Sequence, residues 1–336
     1  MTPDKIRTLL DDPDRGHLET LAQHAAQLTR QYFGRAISLY TPLYLSNYCA
    51  SHCIYCGFHS HHKITRIKLS LEEMDTEMQA IARTGVQNIL LLTGESPQAT
   101  PLAYLIDAVT CAKKYFQGIS LEIYPLTEDD YRALYHAGAD GVTIYQETYD
   151  RKRYGEVHLA GQKKDYDFRR SAPQRIAKAG MRQISLGALL GLGPLAEDLA
   201  ALYAHLRELE KEFPGVEYSL SFPRLRTIKA QEFAASNVDD TTFVKILCLT
   251  RTLFPRVGIN LSTRETAALR NRLIGSCATK ISIGSKTSVG GYLEDDTARD
   301  PQFDVADDRS AAEMIQYLKD HNFDPVFTDW RRIENA

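Results

Sequence analysis

Three of the six cysteines in the 336-residue chain lie within eight residues of one another. Cys49, Cys53 and Cys56 have the spacing C-x3-C-x2-C in the stretch NYCASHCIYCGFH. Three thiolates on one loop can hold three irons of a [4Fe–4S] cluster, and a cubane whose fourth iron has no protein ligand can bind and reduce a substrate. The spacing therefore indicates a chemically active metal site rather than a structural one.

Two other interpretations of these cysteines are open. Cys53 and Cys56 form a C-x2-C pair that zinc could use, and four histidines lie nearby: His52, His59, His61 and His62. A closed zinc site usually draws on a second knuckle further along, and the sequence has no downstream C-x2-C or H-x3-H. A disulfide is the other interpretation, but the charged N-terminal segment lacks an apolar signal core, which predicts a reducing, cytoplasmic setting. We expect the histidines to form a solvated basic face leading to Lys63.

Composition excludes several classes of protein. With 43% hydrophobic residues the chain can bury one large core. The net charge of −3 and the mixing of acidic and basic residues leave no basic stripe for nucleic acid. The longest apolar stretch, Ile184–Ala196, is interrupted by glycines and a proline and is shorter than the roughly 18 residues that span a bilayer. We expect a soluble protein with neither nucleic acid nor membrane as a partner.

Short apolar runs alternate with amphipathic stretches along the chain, a pattern typical of repeated βα units on a parallel sheet. Eight candidate strands read SLYTPLYLS, NILLLTG, SLEIYP, GVTIYQE, QISLGALL, YSLSFPRL, GINLSTRE and KISIGSKT. Helix start signals lie between them: Ser70 has Glu73 three residues on, as in a capping box, and Thr127 has Asp130. The sequence therefore predicts an α/β fold, a (β/α)8 TIM-type barrel, full or slightly open, with N-terminal and C-terminal helical additions.

We expect a single domain, because no linker-like segment interrupts the series. Its parts are an N-terminal helical segment over 1–37, a barrel core over 38–290 and a C-terminal extension over 291–336. The polar stretch Asp150–Arg169 follows the fourth strand and is predicted to be an irregular functional loop. A G-x-G-x-x-A string at Gly191, Gly193 and Ala196 formally matches a dinucleotide fingerprint, but Pro194 stands where backbone N–H groups would face a pyrophosphate, so a tight turn is the better interpretation.

Polar residues gather where the predicted strands end. The cysteines directly follow the first strand, and barrel enzymes do their chemistry on loops at the carboxyl ends of strands. Each of these residues taken alone is more simply a hydrogen-bonded strand end, whereas their shared position on one rim favours a site. They are Thr93, Gly94, Glu95, Glu122, Gln146, Glu147, Arg224, Arg226, Arg264, Glu265, Ser282, Ser285 and Lys286.

The cysteine triplet, with the aromatic Tyr55 before its last member, resembles the radical S-adenosylmethionine (SAM) superfamily. The resemblance implies a [4Fe–4S] cluster on Cys49, Cys53 and Cys56 whose unique iron chelates SAM and reduces it to a 5′-deoxyadenosyl radical. By position, the resemblance implies further SAM contacts from Tyr55, Thr93, Gly94, Glu95, Glu147 and Leu189. It implies that either Arg169 or Lys164 pairs with the SAM carboxylate, and the sequence does not separate these two.

Within the superfamily, the strings NYCxxxCxYCGF, LLxTGE, VxxYQETY, SFPRLR, LSTRE, SKTxxGGY and PVxxDW, from Tyr48 to Trp330, are similar to the 2-iminoacetate synthases, the tyrosine lyases of thiamine thiazole biosynthesis. That similarity implies cleavage of the Cα–Cβ bond of L-tyrosine to 2-iminoacetate and p-cresol. Arg264 suits such a substrate because its planar fork can bind a carboxylate bidentately, with Ser282 adding a hydroxyl. Tyr145, Gln146 and Tyr292 are candidates for the phenol end.

The resemblance leaves alternatives open. L-tryptophan or another aromatic amino acid is a second possible substrate, and a non-catalytic iron–sulfur or zinc-binding barrel is a hypothesis of another class. Hydrogenase-assembly tyrosine lyases carry a second cysteine-rich cluster site after the barrel, whereas Cys277 is the last cysteine here, and Cys111, Cys248 and Cys277 are expected to be free and buried. The family resemblance also implies a thiazole synthase partner protein and a flavodoxin- or ferredoxin-type electron donor.

Overall fold

The computed structural model describes residues 1–225, 238–293 and 299–328. Arg226 and Trp330, which the sequence analysis singled out, lie outside the described residues. No helix in the described part of the chain is both long and apolar enough to cross a bilayer.

Eight parallel strands form a closed barrel. They are β1 Ala36–Ser46, β2 Asn88–Thr93, β3 Gly118–Glu122, β4 Gly141–Glu147, β5 Gln183–Ala188, β6 Glu217–Ser221, β7 Gly258–Leu261 and β8 Lys280–Ser282. Neighbours in sequence are neighbours in the sheet, and β8 pairs with β1 with Ser38 opposite Lys280. A ninth strand, β9 Asp324–Val326, pairs with the start of β1. The predicted (β/α)8 barrel and all eight of its strands are confirmed, whereas the single-domain organisation stays a prediction.

Helices connect and surround these strands. Those described are Pro3–Asp11, Arg15–Phe33, Leu71–Ala82, Leu102–Ala112, Glu128–Ala137, Arg151–Val157, Tyr166–Arg170, Ala172–Lys178, Leu195–Glu212, Asp240–Leu253, Ala267–Leu273 and Ala311–Asp320. The predicted start signals act as expected: Ser70 and Glu73 form a complete capping box, and the Thr127 side chain accepts from the Asp130 N–H. Because the eight strands are parallel, the loops that follow them are collected at one end of the barrel.

The prediction of an irregular loop over Asp150–Arg169 is wrong. The stretch contains the helices Arg151–Val157 and Tyr166–Arg170 and a short strand, His158–Ala160, which pairs antiparallel with His52–Cys53 of the cysteine loop. Two of its polar residues are helix N-caps: the Asp150 side chain accepts from the Arg153 N–H, and the Asp165 side chain accepts from the Phe168 N–H. The stretch is therefore an ordered cover over the first loop of the barrel.

Candidate active site

A deep cavity opens at the carboxyl end of the barrel, with about 1510 Å³ of empty space when its solvent-open mouth is included. Its wall contains thirteen of the residues that the sequence suggested: Cys49, Cys53, Tyr55, Cys56, Thr93, Gly94, Glu95, Tyr145, Glu147, Arg169, Leu189, Arg264 and Ser282. The cavity therefore brings the cysteines together with the residues that the sequence suggested for SAM and for the substrate.

The three cysteines form one part of the wall. Burial raises the pKa of the Cys49 thiol to about 11 and also raises the pKa values of Cys53 and Cys56. Buried thiolates need a cationic partner, which a metal cluster supplies. A single zinc ion needs ligand atoms that lie close together. Among the described residues, the three ligating side chains whose atoms lie within 4.8 Å of one another are histidines, and the cysteines do not belong to that group. The donor set fits a [4Fe–4S] cluster better than one zinc ion.

The surroundings of the cysteines are apolar and ordered. Cys53 packs in a buried cluster with Tyr55, Val157, Leu189 and Leu192. The Tyr55 hydroxyl is 2.8 Å from Nε2 of His158, and Nδ1 of His158 is 2.8 Å from the Tyr154 carbonyl oxygen. Burial lowers the pKa of His158 to about 2, so its ring is neutral and fixes the tyrosine without adding charge.

Next to the cysteines, two carboxylates and two cations form a buried network. Arg169 Nη1 is 2.7 Å from Glu95 Oε1, and Lys163 Nζ is 2.7 Å from Glu147 Oε1 and 3.7 Å from Glu95 Oε1. Arg169 Nε also donates to the Tyr145 carbonyl oxygen at 2.7 Å. Burial opposes each charge, but Arg169 and Lys163 outweigh it for Glu95 and lower its pKa, while Glu147 and Glu95 raise the pKa of Lys163. Glu95 and Lys163 therefore stay charged at neutral pH.

Glu147 reaches this network through an unusual backbone. Its φ is +70°, in the left-handed region, and the pairing of β4 with β5 shifts register between Tyr145 and Glu147. A non-glycine residue held in this conformation costs on the order of 1–3 kcal/mol and is typical of functional sites. The bulge brings the Glu147 side chain to the same cavity as that of Tyr145.

The Thr93–Gly94–Glu95 turn has features of a ligand cradle. A Cβ at Gly94 would lie 2.3 Å from the Tyr48 carbonyl oxygen, so the turn can approach the cysteine loop only with glycine there. The buried Thr93 Oγ1 has no hydrogen-bond partner among the described residues, and the same is true of Ser285 Oγ on another wall of the cavity. Buried hydroxyls without partners favour a polar ligand that completes them.

Opposite the network, Arg264 lies on the wall with its guanidinium 3.4 Å from the centroid of the Phe303 ring. Burial lowers the pKa of Arg264. Ser282 is buried beside it, and its Oγ accepts from the Thr263 N–H at 3.2 Å. Glu122 also lines this wall, and burial, reinforced by the charge of Glu147, raises its pKa to about 7. A cation stacked on a ring, next to a serine hydroxyl, can bind a carboxylate in a fixed orientation.

The position of the Tyr145 ring depends on Gly187 of β5. A Cβ at residue 187 would lie 2.4 Å from the Ser221 carbonyl oxygen and 2.6 Å from Cδ1 of Tyr145. The ring therefore occupies the space that any other side chain at residue 187 would need.

Three residues proposed from the sequence lie outside the cavity wall. Lys164 is exposed, and its neighbour Lys163 takes the place beside the carboxylates. Gln146 is buried on the other side of β4, with Nε2 3.5 Å from the Tyr166 carbonyl oxygen. The Tyr292 hydroxyl bonds to the Pro42 carbonyl oxygen and accepts from the Lys286 N–H at 3.1 Å. The structure therefore does not bring Lys164, Gln146 and Tyr292 together with the cavity residues.

Two charged residues of the cavity wall had no assigned role in the sequence analysis. Lys163 stands in the string GQKK, and nothing in that string distinguishes it from Lys164. Glu122 ends β3, a position that marked it as a rim residue without indicating its function. The rim residues Arg224 and Glu265 pair with each other, since Arg224 Nε is 3.0 Å from Glu265 Oε1.

Comparisons with known proteins agree with this arrangement. A family model described as the radical SAM superfamily matches residues 43–206, and one described as the biotin and thiamin synthesis associated domain matches residues 221–324. The barrel and its cysteine loop thus define a radical SAM enzyme, a class that uses a [4Fe–4S] cluster and SAM.

A relative from Escherichia coli (strain K12), a 2-iminoacetate synthase, is 38% identical over 331 residues, which cover 98% of this chain and 88% of the relative. The chain belongs to the 2-iminoacetate synthase family. The crystal structure of HydG, a maturase of the [FeFe]-hydrogenase, superposes with a TM-score of 0.91 at 31% identity, over 98% of this chain and 73% of that one. The crystal structure of methylornithine synthase (PylB), at a TM-score of 0.77 and 21% identity, shares the fold.

Proposed function

We propose that the protein is a radical SAM carbon–carbon lyase that cleaves the Cα–Cβ bond of L-tyrosine to 2-iminoacetate and p-cresol. The observation that carries the proposal is the single cavity that holds the three cysteines, the Glu95–Arg169–Lys163–Glu147 network and Arg264. The relative that is 38% identical has the same activity in its name, and the alternative substrate L-tryptophan finds no comparable support.

When bound, the reduced cluster and SAM supply one-electron chemistry that removes a hydrogen atom from the substrate amino group. Cys49, Cys53 and Cys56 would hold the cluster. The charged network beside them would bind the polar ends of SAM, with Arg169 or Lys163 on its carboxylate, Glu95 on its amino group and Glu147 on the ribose. Thr93 and Gly94 would contact its methionine part, and Leu189 and Tyr55 would pack against its flat and apolar parts.

Arg264 would bind the carboxylate of tyrosine, and Ser282 would add a hydroxyl. The stacked Phe303 ring fixes the plane of the guanidinium, so both carboxylate oxygens can be bound at once. The aromatic end of the substrate would then lie along the wall formed by Tyr40, Tyr145 and Glu122. One hydrogen atom of tyrosine leaves on 5′-deoxyadenosine, so the remaining aromatic fragment must gain one electron and one proton to become p-cresol.

The wider setting follows from the same chemistry. 2-Iminoacetate hydrolyses readily, so we propose that a thiazole synthase consumes it in contact with this protein. A flavodoxin- or ferredoxin-type protein would supply two electrons per turnover, one to reduce the cluster and one to complete p-cresol. All six cysteines are free, which supports a reducing, cytoplasmic location.

The test is to incubate the anaerobically reconstituted, dithionite-reduced protein with SAM and either L-tyrosine or L-tryptophan and to analyse the products by mass spectrometry. We expect p-cresol, 5′-deoxyadenosine and glyoxylate, the hydrolysis product of 2-iminoacetate, from tyrosine only. A methylindole-type product from tryptophan would overturn the substrate assignment. A colourless, zinc-loaded protein that leaves SAM intact would overturn the enzyme assignment.

A further inference from the structure

Four histidines on the cysteine loop have no part in the proposed reaction. His52 lies in the short strand that pairs with Ala160, and His59, His61 and His62 follow Cys56 in a series of turns. None of the four lines the cavity. The expected solvated face holds only for His61, which is exposed, because the other three are half-buried.

Three of these histidines are gathered as a ligand set. His52, His59 and His61 each offer a ring nitrogen, and the three nitrogens lie within 4.8 Å of one another. The ring of His52 is 4.1 Å from that of His61 and 5.1 Å from that of His59, between centroids. Imidazole nitrogens bind zinc at about 2.0–2.1 Å, which brings them to roughly 3.4 Å from one another around a tetrahedral ion. The exposed His61 ring can make that small adjustment by rotating.

An unsatisfied atom marks the same place. Nδ1 of His59 is buried and has no hydrogen-bond partner among the described residues. By contrast, Nδ1 of the neighbouring His62 bonds to the Gly57 carbonyl oxygen at 2.7 Å. A buried ring nitrogen without a partner is destabilising unless an ion or a water completes it.

The Arg66 side chain holds the backbone that carries the histidines. Arg66 Nη1 donates to the carbonyl oxygens of Asn47 and Phe58 at 2.6 and 2.8 Å. Its Nη2 donates to the carbonyl oxygens of His59 and His62 at 2.7 and 3.1 Å. The loop is therefore pre-organised, so that an ion entering between the rings would not have to fold it.

We propose that His52, His59 and His61 bind one divalent transition-metal ion, with Zn²⁺ as the best-suited example, at a site separate from the cysteine cluster. Three neutral imidazoles favour Zn²⁺, Ni²⁺ or Cu²⁺ over hard cations such as Mg²⁺. Because His61 is exposed, the fourth position is open to water. The bound ion links the turns after Cys56 to the strand before Cys53, and the inference does not depend on the substrate of the enzyme.

The test is a zinc titration of the anaerobically reconstituted holoenzyme by calorimetry, followed by desalting and metal analysis. We expect one zinc per chain in addition to the full cluster iron. His61→Asn and His59→Asn should each weaken zinc binding at least about tenfold, because they remove a ligand. The matched control is His62→Asn, which alters the same loop but spares the trio and should bind zinc as the wild type does.

Co²⁺ gives a second readout, since its ligand-field absorption bands report a site of low coordination number. Those bands should appear in the wild type and in His62→Asn and should be absent in His61→Asn, with the cluster absorption unchanged in all three. Zinc binding that survives His61→Asn and His59→Asn would overturn the proposal. Zinc binding that occurs only as cluster iron is lost would also overturn it, because the ion would then be on the cysteines.

Discussion

Lys163 Nζ lies 2.7 Å from Oε1 of Glu147, a residue whose left-handed backbone aims its carboxylate into the cavity. The pair is buried, and Glu95 and Arg169 extend it towards the cysteine loop. A buried ion pair of this kind is costly to break, because removal of one partner leaves an uncompensated charge. The pair lies in the cavity that contains the proposed SAM and substrate sites, so substitution of either partner tests that site directly.

We expect Lys163→Gln to weaken SAM binding at least tenfold and to lower the free energy of unfolding by about 3–5 kcal/mol. Loss of the ammonium would raise the pKa of Glu95, because Lys163 is one of the two cations that lower it. The stability deficit should therefore grow as the pH rises and the carboxylates ionise. Equilibrium binding of SAM and denaturant unfolding check both expectations. The adjacent, exposed Lys164→Gln is the control and should change neither quantity.

Arg264→Lys tests whether the planar fork matters rather than the charge. We expect unchanged iron content and unchanged SAM binding, with kcat/KM for tyrosine reduced by at least about thirtyfold, equivalent to about 2 kcal/mol. Arg256→Lys, which alters an exposed arginine 5.7 Å from the Tyr32 ring, should have no effect. Wild-type kinetics in Arg264→Lys would show that the substrate carboxylate is bound elsewhere.

Cys53→Ala should abolish cluster assembly and, with it, the formation of 5′-deoxyadenosine from SAM. The substitution removes one of the three proposed iron ligands from a buried, apolar setting. Iron analysis after anaerobic reconstitution measures the effect. Cys111→Ala, at a buried cysteine whose Sγ lies 3.3 Å from Asp75 Oδ1, controls for the loss of a thiol and should retain full iron.

Glu122 should make the stability of the cluster-free protein depend on pH. Its pKa is about 7 in the folded chain because burial, followed by the charge of Glu147, disfavours the carboxylate, whereas an unfolded glutamate has a pKa of about 4.5. Below pH 4.5 Glu122 is protonated in both the folded and the unfolded chain. Between pH 4.5 and about 7 it is protonated in the folded chain alone. Stability should therefore fall by up to about 3 kcal/mol as the pH rises from 4.5 to 7.

Glu122→Gln should remove that fall in stability, because the amide does not titrate. Urea unfolding at a series of pH values compares the two proteins. An identical pH dependence in both would show that Glu122 ionises normally. The variant also separates the effect of this carboxyl from that of Glu147, which lines the same cavity.

The barrel was predictable because its strands are parallel and buried, so each one is a short apolar run with a clear end. The string GVTIYQE coincides with β4, Gly141–Glu147, as observed. The shared rim was predictable too, since the carboxyl ends of parallel strands meet at one end of a closed barrel. That rule brought Thr93, Glu95, Arg264 and Ser282 together from distant parts of the sequence.

The sequence did not predict which side chains enter the cavity where packing between distant segments decides their direction. Gln146 and Glu147 are adjacent and lie on opposite sides of β4, and Glu147 lines the cavity beyond a register shift that the sequence does not signal. Lys163 rather than Lys164 enters the cavity because of the turn at Gly161, whose φ is +81° and whose Cβ would lie 2.5 Å from Ser51. The string GQKK therefore does not indicate which of its two lysines enters the cavity.

Gly187 gives the cavity a property that deletion experiments overlook. The ring of Tyr145 fits beside β5 because residue 187 has no side chain, and the nearest backbone oxygen leaves no space for one. Alanine scanning identifies residues by removing side-chain atoms, so it does not detect a position that matters because it has no side chain. This wall of the cavity is therefore sensitive to Gly187→Ala, which adds a single methyl group.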